Sequence, residues 1–100
     1  MISYDRARQL GKTYVGALNM GPEEFAALFA PDATVRVGGR DASPTAVREV
    51  APPGRSAFRG ARLEPPHVVF TVRVRDRQGV EDLPHRLLVD DSGLITGLEV

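Results

Sequence analysis

Residues 14–37 read YVGALNMGPEEFAALFAPDATVRV, and this stretch constrains the fold more than any other in the chain. It holds the end of one amphipathic helix, a turn, a second short helix and the first strand. Upstream, Ser3 can cap a helix, and Asp5 then sits in its first turn, where the helix dipole favours an anion. Tyr4, Ala7, Leu10, Gly11, Tyr14, Ala17 and Leu18 recur at spacings of three and four, which is one helical face. Arg6, Arg8, Gln9 and Lys12 lie off it. Asn19-Met20-Gly21 breaks the pattern, and Pro22 suits the first position of a new helix, with Glu23 and Glu24 in its first turn. Phe25, Leu28 and Phe29 form the apolar edge of that helix, and Pro31 stops it. Ala33, Val35 and Val37 then alternate with Thr34 and Arg36, the pattern of a half-buried strand.

Gly38-Gly39 ends this strand. Ser43-Pro44 offers a cap and a first-turn proline for a short helix over 44–50, and Ala51-Pro52-Pro53-Gly54 is a loop. Three or four strands follow. Residues 57–63 carry the least distinct pattern. Val68, Phe70, Val72 and Val74 alternate cleanly with Val69, Thr71, Arg73 and Arg75. Asp76-Arg77-Gln78-Gly79 is a hairpin turn. Leu83, His85, Leu87 and Val89 share a face in the next strand, Asp90-Asp91-Ser92-Gly93 is another turn, and 94–100 is the last strand. Helices first and an antiparallel meander later predict an α+β protein with the helices on one face of a sheet, in a single domain spanning 1–100.

Composition narrows the function classes. Thirteen basic residues balance thirteen acidic ones, with no basic block, which argues against a nucleic-acid or anionic-lipid partner. No apolar run is long enough to span a bilayer, and there is no secretory leader pattern. The chain has no cysteine, which excludes disulfides and thiolate metal sites and fits a cytoplasmic protein. Its two histidines, His67 and His85, fall on different strand faces and make no metal site; no cofactor is expected.

The order helix, short helix, LFAPDATV strand, GR-x-A-x(4)-VREV and strands ending in DDSGLI resembles the nuclear-transport-factor-2-like (NTF2-like) superfamily, in its SnoaL-like and ketosteroid-isomerase-like branch. The likeness is strong over 10–37, weaker over 44–50, and returns over 68–98. It implies a cone-like, strongly curved antiparallel sheet wrapped around the N-terminal helices. It also implies an apolar pocket for a hydrophobic small molecule, and homodimers through the outer sheet face. In such a pocket Phe25, Phe29, Val35, Val37, Phe70 and Leu87 are expected to touch the ligand. The resemblance also implies an isomerase or cyclase type of acid–base chemistry, in which an aspartate base moves a proton while a tyrosine and a protonated acid hold the enolate oxygen, as in ketosteroid isomerase. The tyrosine matches Tyr14. The base position falls on Val37, or on Gly38 with a one-residue shift, so the base is absent. The oxygen-holding acid is replaced by His85.

Two readings of each polar residue stand side by side. Tyr14 is either a core tyrosine with a backbone partner or a hydrogen-bond donor at a pocket floor. His85 is either a satisfied core histidine or a neutral imidazole that polarises an oxygen. Correspondingly the chain is either an enzyme using Tyr14 and His85 or a non-catalytic binding or dimerisation module. A dimer is expected from an outer sheet face that leaves Val69 and Ile95 exposed.

Overall fold

The computed structural model describes residues 2–100. Helix α1 covers Tyr4–Met20 and α2 covers Pro22–Ala26. Strands β1 (Phe29–Val37) and β2 (Arg40–Ala42) precede α3 (Pro44–Val50). Strands β3 (Ser56–Glu64), β4 (His67–Asp76), β5 (Gly79–Val89) and β6 (Ile95–Glu99) complete one six-stranded sheet in the order β2-β1-β6-β5-β4-β3. The sheet is curved and unclosed, with the helices packed on it, so the α+β class holds. Register shifts in β1, β3 and between β5 and β6 supply local bends. All neighbours run antiparallel except β1 and β6, which makes the sheet mixed. The meander β3–β4–β5–β6 sets the direction of β6, and β6 then lies beside a β1 that already runs the same way.

Two local departures have clear causes. The second helix ends at Ala26, so Leu28 and Phe29 are not its apolar edge. Phe29 instead starts β1, pairing with Ile95, because the proline at position 31 disfavours helix just before it and the sheet offers Phe29 a partner. Pro31 itself falls in the irregular stretch of β1 between Phe29 and Thr34, where a missing N–H is tolerated. Gly38 and Gly39 do more than end a strand. Their φ values of 60° and 78° form a tight left-handed turn into β2, so that Val37 pairs with Arg40.

The concave face is built in rows. Val35, Leu98, Leu87, Val68 and Leu63 lie side by side across β1, β6, β5, β4 and β3. The next row holds His85, Phe70 and Ala61. Helix α1 begins with Ser3 Oγ accepting from the Arg6 N–H at 3.2 Å, and it buries Ala7, Gly11, Tyr14, Val15, Ala17 and Leu18. Tyr4, at its start, is half exposed. At the other end Asn19 ties the helix to the loop before β3, donating to the Ser56 carbonyl and accepting from the Gly54 N–H.

The outer face corrects the expected exposure of Val69 and Ile95, both of which are buried. Ile95 points into the core beside Phe29 and Val89. Val69 lies between Arg62 and Arg86 in register, and Glu64 pairs with both guanidiniums, Arg86 at 3.2 Å. Both arginines are its cross-strand neighbours on that outer face.

Glycines 11 and 16 make opposite predictions. A Cβ on Gly11 would lie 2.2 Å from Phe58 Cε1, whereas one on Gly16 meets nothing within 4 Å. Gly16→Ala should stabilise by about 1 kcal/mol through helix propensity. Gly11→Ala should cost a net amount of about 1–2 kcal/mol, because overpacking outweighs the same gain. Thermal unfolding of the two variants should move Tm in opposite directions; a rise for both would refute the close helix–strand contact.

Candidate functional site

Tyr14 is inward on α1, and the alternation of β5 turns Leu83, His85 and Leu87 toward it. The two polar side chains meet: Tyr14 Oη and His85 Nδ1 are 2.6 Å apart, and both residues are fully buried. Aromatic rings surround the phenol. Phe25 packs edge-on at 5.1 Å and Phe70 tilted at 5.5 Å between ring centroids. Such pairs add about 0.5–1.5 kcal/mol each beyond their burial.

Burial sets the charge of both groups. With no nearby cation or anion to offset desolvation, the His85 imidazole is pushed down to about 4 and is neutral at pH 7. Burial raises the Tyr14 phenol well above its ordinary value, so it too is neutral. The hydroxyl has no other acceptor among the described residues, so it donates to Nδ1, and the imidazole proton then resides on Nε2. The reverse arrangement would leave two groups unpaired instead of one. Nε2 is buried and has no protein partner among the described residues. An unpaired buried donor costs about 1–3 kcal/mol.

The expected ligand contacts are core residues. Phe25, Phe70 and Leu87 are fully buried, and Phe29 and Val35 nearly so. Val37 is half-buried at the end of β1. The Gly38 N–H bonds to the Val100 carbonyl, and Glu99 pairs with Arg86, so Val37 sits level with His85 but two strands away, about 10 Å. No carboxylate occupies its place. Asp82 lies on the outer face and is held below the usual carboxylate range by its bidentate pair with Arg73, at 2.8 and 3.0 Å.

Open volume lies elsewhere. A hollow of about 790 Å³ opens beneath the first turn of α1, between the β3–β4 turn at Pro65-Pro66 and the β5–β6 turn at Asp90–Gly93. None of the eight residues named from the sequence lines it. Its walls, Arg6 and Val68 among them, come from three chain-distant segments with no shared motif, so no sequence pattern marks them. Among the described residues no three His, Asp or Glu side chains gather as metal ligands, and no helix is long and apolar enough to cross a membrane.

The buried pair makes stability depend on pH. The imidazole titrates at about 4 in the fold against 6.5 in a free chain. Between those values the unfolded chain holds a proton that the folded one lacks. Stability from this group is therefore full above pH 6.5 and falls as pH drops toward 4, by on the order of 3 kcal/mol. Urea unfolding at pH 7 and pH 4.5 should show that loss, reduced in Tyr14→Phe/His85→Leu. Tyr14→Phe alone should cost about 1–3 kcal/mol by leaving Nδ1 bare, and the double variant should cost less than the two single changes summed.

No protein-family model and no curated protein matches the chain. Solved structures do. A de novo designed NTF2 fold protein, NT-9, superimposes with a TM-score of 0.72 at 17% identity, over 99% of this chain and 85% of the other. A protein from Kribbella flavida DSM 17836 named for ketosteroid isomerase gives a TM-score of 0.71 at 20% identity, over 96% of this chain and 76% of the other. A Sinorhizobium meliloti protein named for polyketide cyclase gives 0.64 at 19% identity, over 91% and 92%. The order of elements, the curved sheet and these superpositions agree: the chain has the NTF2-like fold.

Proposed function

We propose that the chain is a ligand-binding protein of the SnoaL-like, ketosteroid-isomerase-like class, which takes a hydrophobic small molecule and does not shuttle a proton between carbons. The observation that carries this reading is the closed Tyr14–His85 pair, with Val37 where a carboxylate base would stand. The phenol spends its proton on Nδ1, and the low-pKa imidazole is a weak base at neutral pH. Two structural neighbours named for ketosteroid isomerase and polyketide cyclase support the hydrophobic class of ligand. A homodimer through the outer sheet face belongs to the same proposal. The exposed Leu88 beside Gly97 supports it in place of Val69 and Ile95.

One observation favours a second, catalytic reading: the His85 Nε2 donor has no partner among the described residues and could hold a developing oxyanion. An isomerase assay separates the two. Spectrophotometry with a 3-keto steroid should show no turnover by the wild type and none by a folded Val37→Asp variant. A gain of ten-fold or more in Val37→Asp would establish an isomerase-shaped pocket and overturn the binding-only reading. A thermal-shift screen of steroids, polyketides and aromatic acids tests binding itself. A ligand at ten times its Kd contributes about 1.4 kcal/mol, an upward shift of at least about 4 °C. No shift from any compound would sink the proposal.

A further inference from the structure

We infer that the hollow beneath the first turn of α1 is the ligand site, and that it takes a non-anionic molecule with an apolar body and a hydrogen-bond-accepting oxygen. This rests on the binding reading above and moves the site away from Tyr14 and His85. A volume of about 790 Å³ is in the range of small-molecule pockets, roughly 300–1,000 Å³. Ile2, Pro65, Pro66, Val68 and Val89 give it apolar walls.

The polar groups at the hollow divide into those already used and those free. Ser3 Oγ accepts from the Arg6 N–H in capping α1 and keeps its own O–H donor. The Asp90 carboxylate accepts from the Ser92 N–H, the Ser92 hydroxyl and the Leu94 N–H, which hold it in the β5–β6 turn. The Arg6 guanidinium and the Asp91 carboxylate make no hydrogen bond or ion pair among the described residues, and both line the hollow. A smaller hollow of about 190 Å³ shares Ile2, Arg6 and Gly93, so Arg6 stands between the two spaces.

This charge arrangement selects against anions. An anion would gain Arg6 but meet Asp90 and Asp91, so the lining carries one more negative charge than positive. A molecule without negative charge escapes that repulsion, and its oxygen can accept from Arg6, whose five donors are free. The inner end of the hollow is closed by Val68, whose row partner is Leu87. His85 belongs to the next row, two strand residues or about 7 Å further along β5. A ligand in the hollow therefore stops one row of side chains short of the imidazole.

The probe for the test is 6-propionyl-2-(dimethylamino)naphthalene, an uncharged naphthyl ketone whose emission reports its surroundings. The comparator is 1-anilinonaphthalene-8-sulfonate, of similar size but anionic. The ketone should bind the wild type at least ten-fold more tightly than the sulfonate. Val89→Trp, which fills the hollow, should weaken the ketone at least ten-fold; Ile2→Trp at the chain start repeats the block with less risk to the core, and circular dichroism confirms that each is folded. Arg6→Leu should weaken the ketone several-fold, whereas Arg6→Gln, which keeps an N–H donor, should restore most of the affinity. Tyr14→Phe should leave it within two-fold.

Tighter binding of the sulfonate would overturn the non-anionic ligand class. Ketone binding that ignores both tryptophan variants, or is lost in Tyr14→Phe, would overturn the location while leaving the binding reading intact. Failure of the ketone to bind, with some other screened compound still stabilising the protein regardless of Val89→Trp, would do the same. If no compound of any class binds, the binding reading falls with it.

Discussion

Helix α1 and strand β5 are joined at the centre of the protein by a single short hydrogen bond, Tyr14 Oη to His85 Nδ1 at 2.6 Å, and most of the interior is arranged to keep it dry. Neither group tolerates burial alone. A phenol without an acceptor or an imidazole without a partner would each lose about 1–3 kcal/mol, so placing one inside requires the other to arrive at the same point. The two residues are 71 positions apart, and only the docking of α1 on the concave face brings them together. The aromatic rings of Phe25 and Phe70 then exclude water, which strengthens the bond and keeps both groups uncharged.

Filling the centre in this way leaves the open volume elsewhere. Phe25, Phe70 and Leu87 occupy space between the helices and the sheet that a pocket reading reserves for a small molecule. The volume left is at the end of the sheet, where β4 begins, β5 ends and α1 has only its first turn. The same fold thus carries its polar pair and its open space in different places, and Val37 between β6 and the sheet edge adds no carboxylate to either. The outer face follows a different rule. There Arg62 and Arg86 flank Val69 in register and both pair with Glu64, and Arg73 pairs with Asp82, so ion pairs line the strands' backs.

Much of this architecture is legible in the linear pattern of residues. Strand parity alone turns His85 inward with Leu83 and Leu87, and helical spacing puts Tyr14 on the buried face with Leu18. Both signals are local and periodic, which is why a linear pattern carries them. The end of the second helix is misplaced by that pattern because Phe29 has two compatible environments, and its pairing with Ile95, distant in sequence, decides between them. Strand β2 escapes it because three residues are too few to show alternation, although the paired glycines just upstream are themselves a hairpin signal. The exposure assigned to Val69 fails for a different reason: parity says which face a residue occupies, not how deeply it is buried there.

The sequence by itself determined the class of fold, the inward direction of the phenol and the imidazole, and the absence of an acid at position 37, because each depends on residue identity and short-range period. Only the tertiary structure decided that the two polar tips satisfy each other and that the open volume lies at the other end of the helix. Those outcomes depend on how far α1 sits from the sheet and on which turns meet beneath its first residues. Distances of that kind arise from packing among segments far apart in the chain, and no local pattern encodes them.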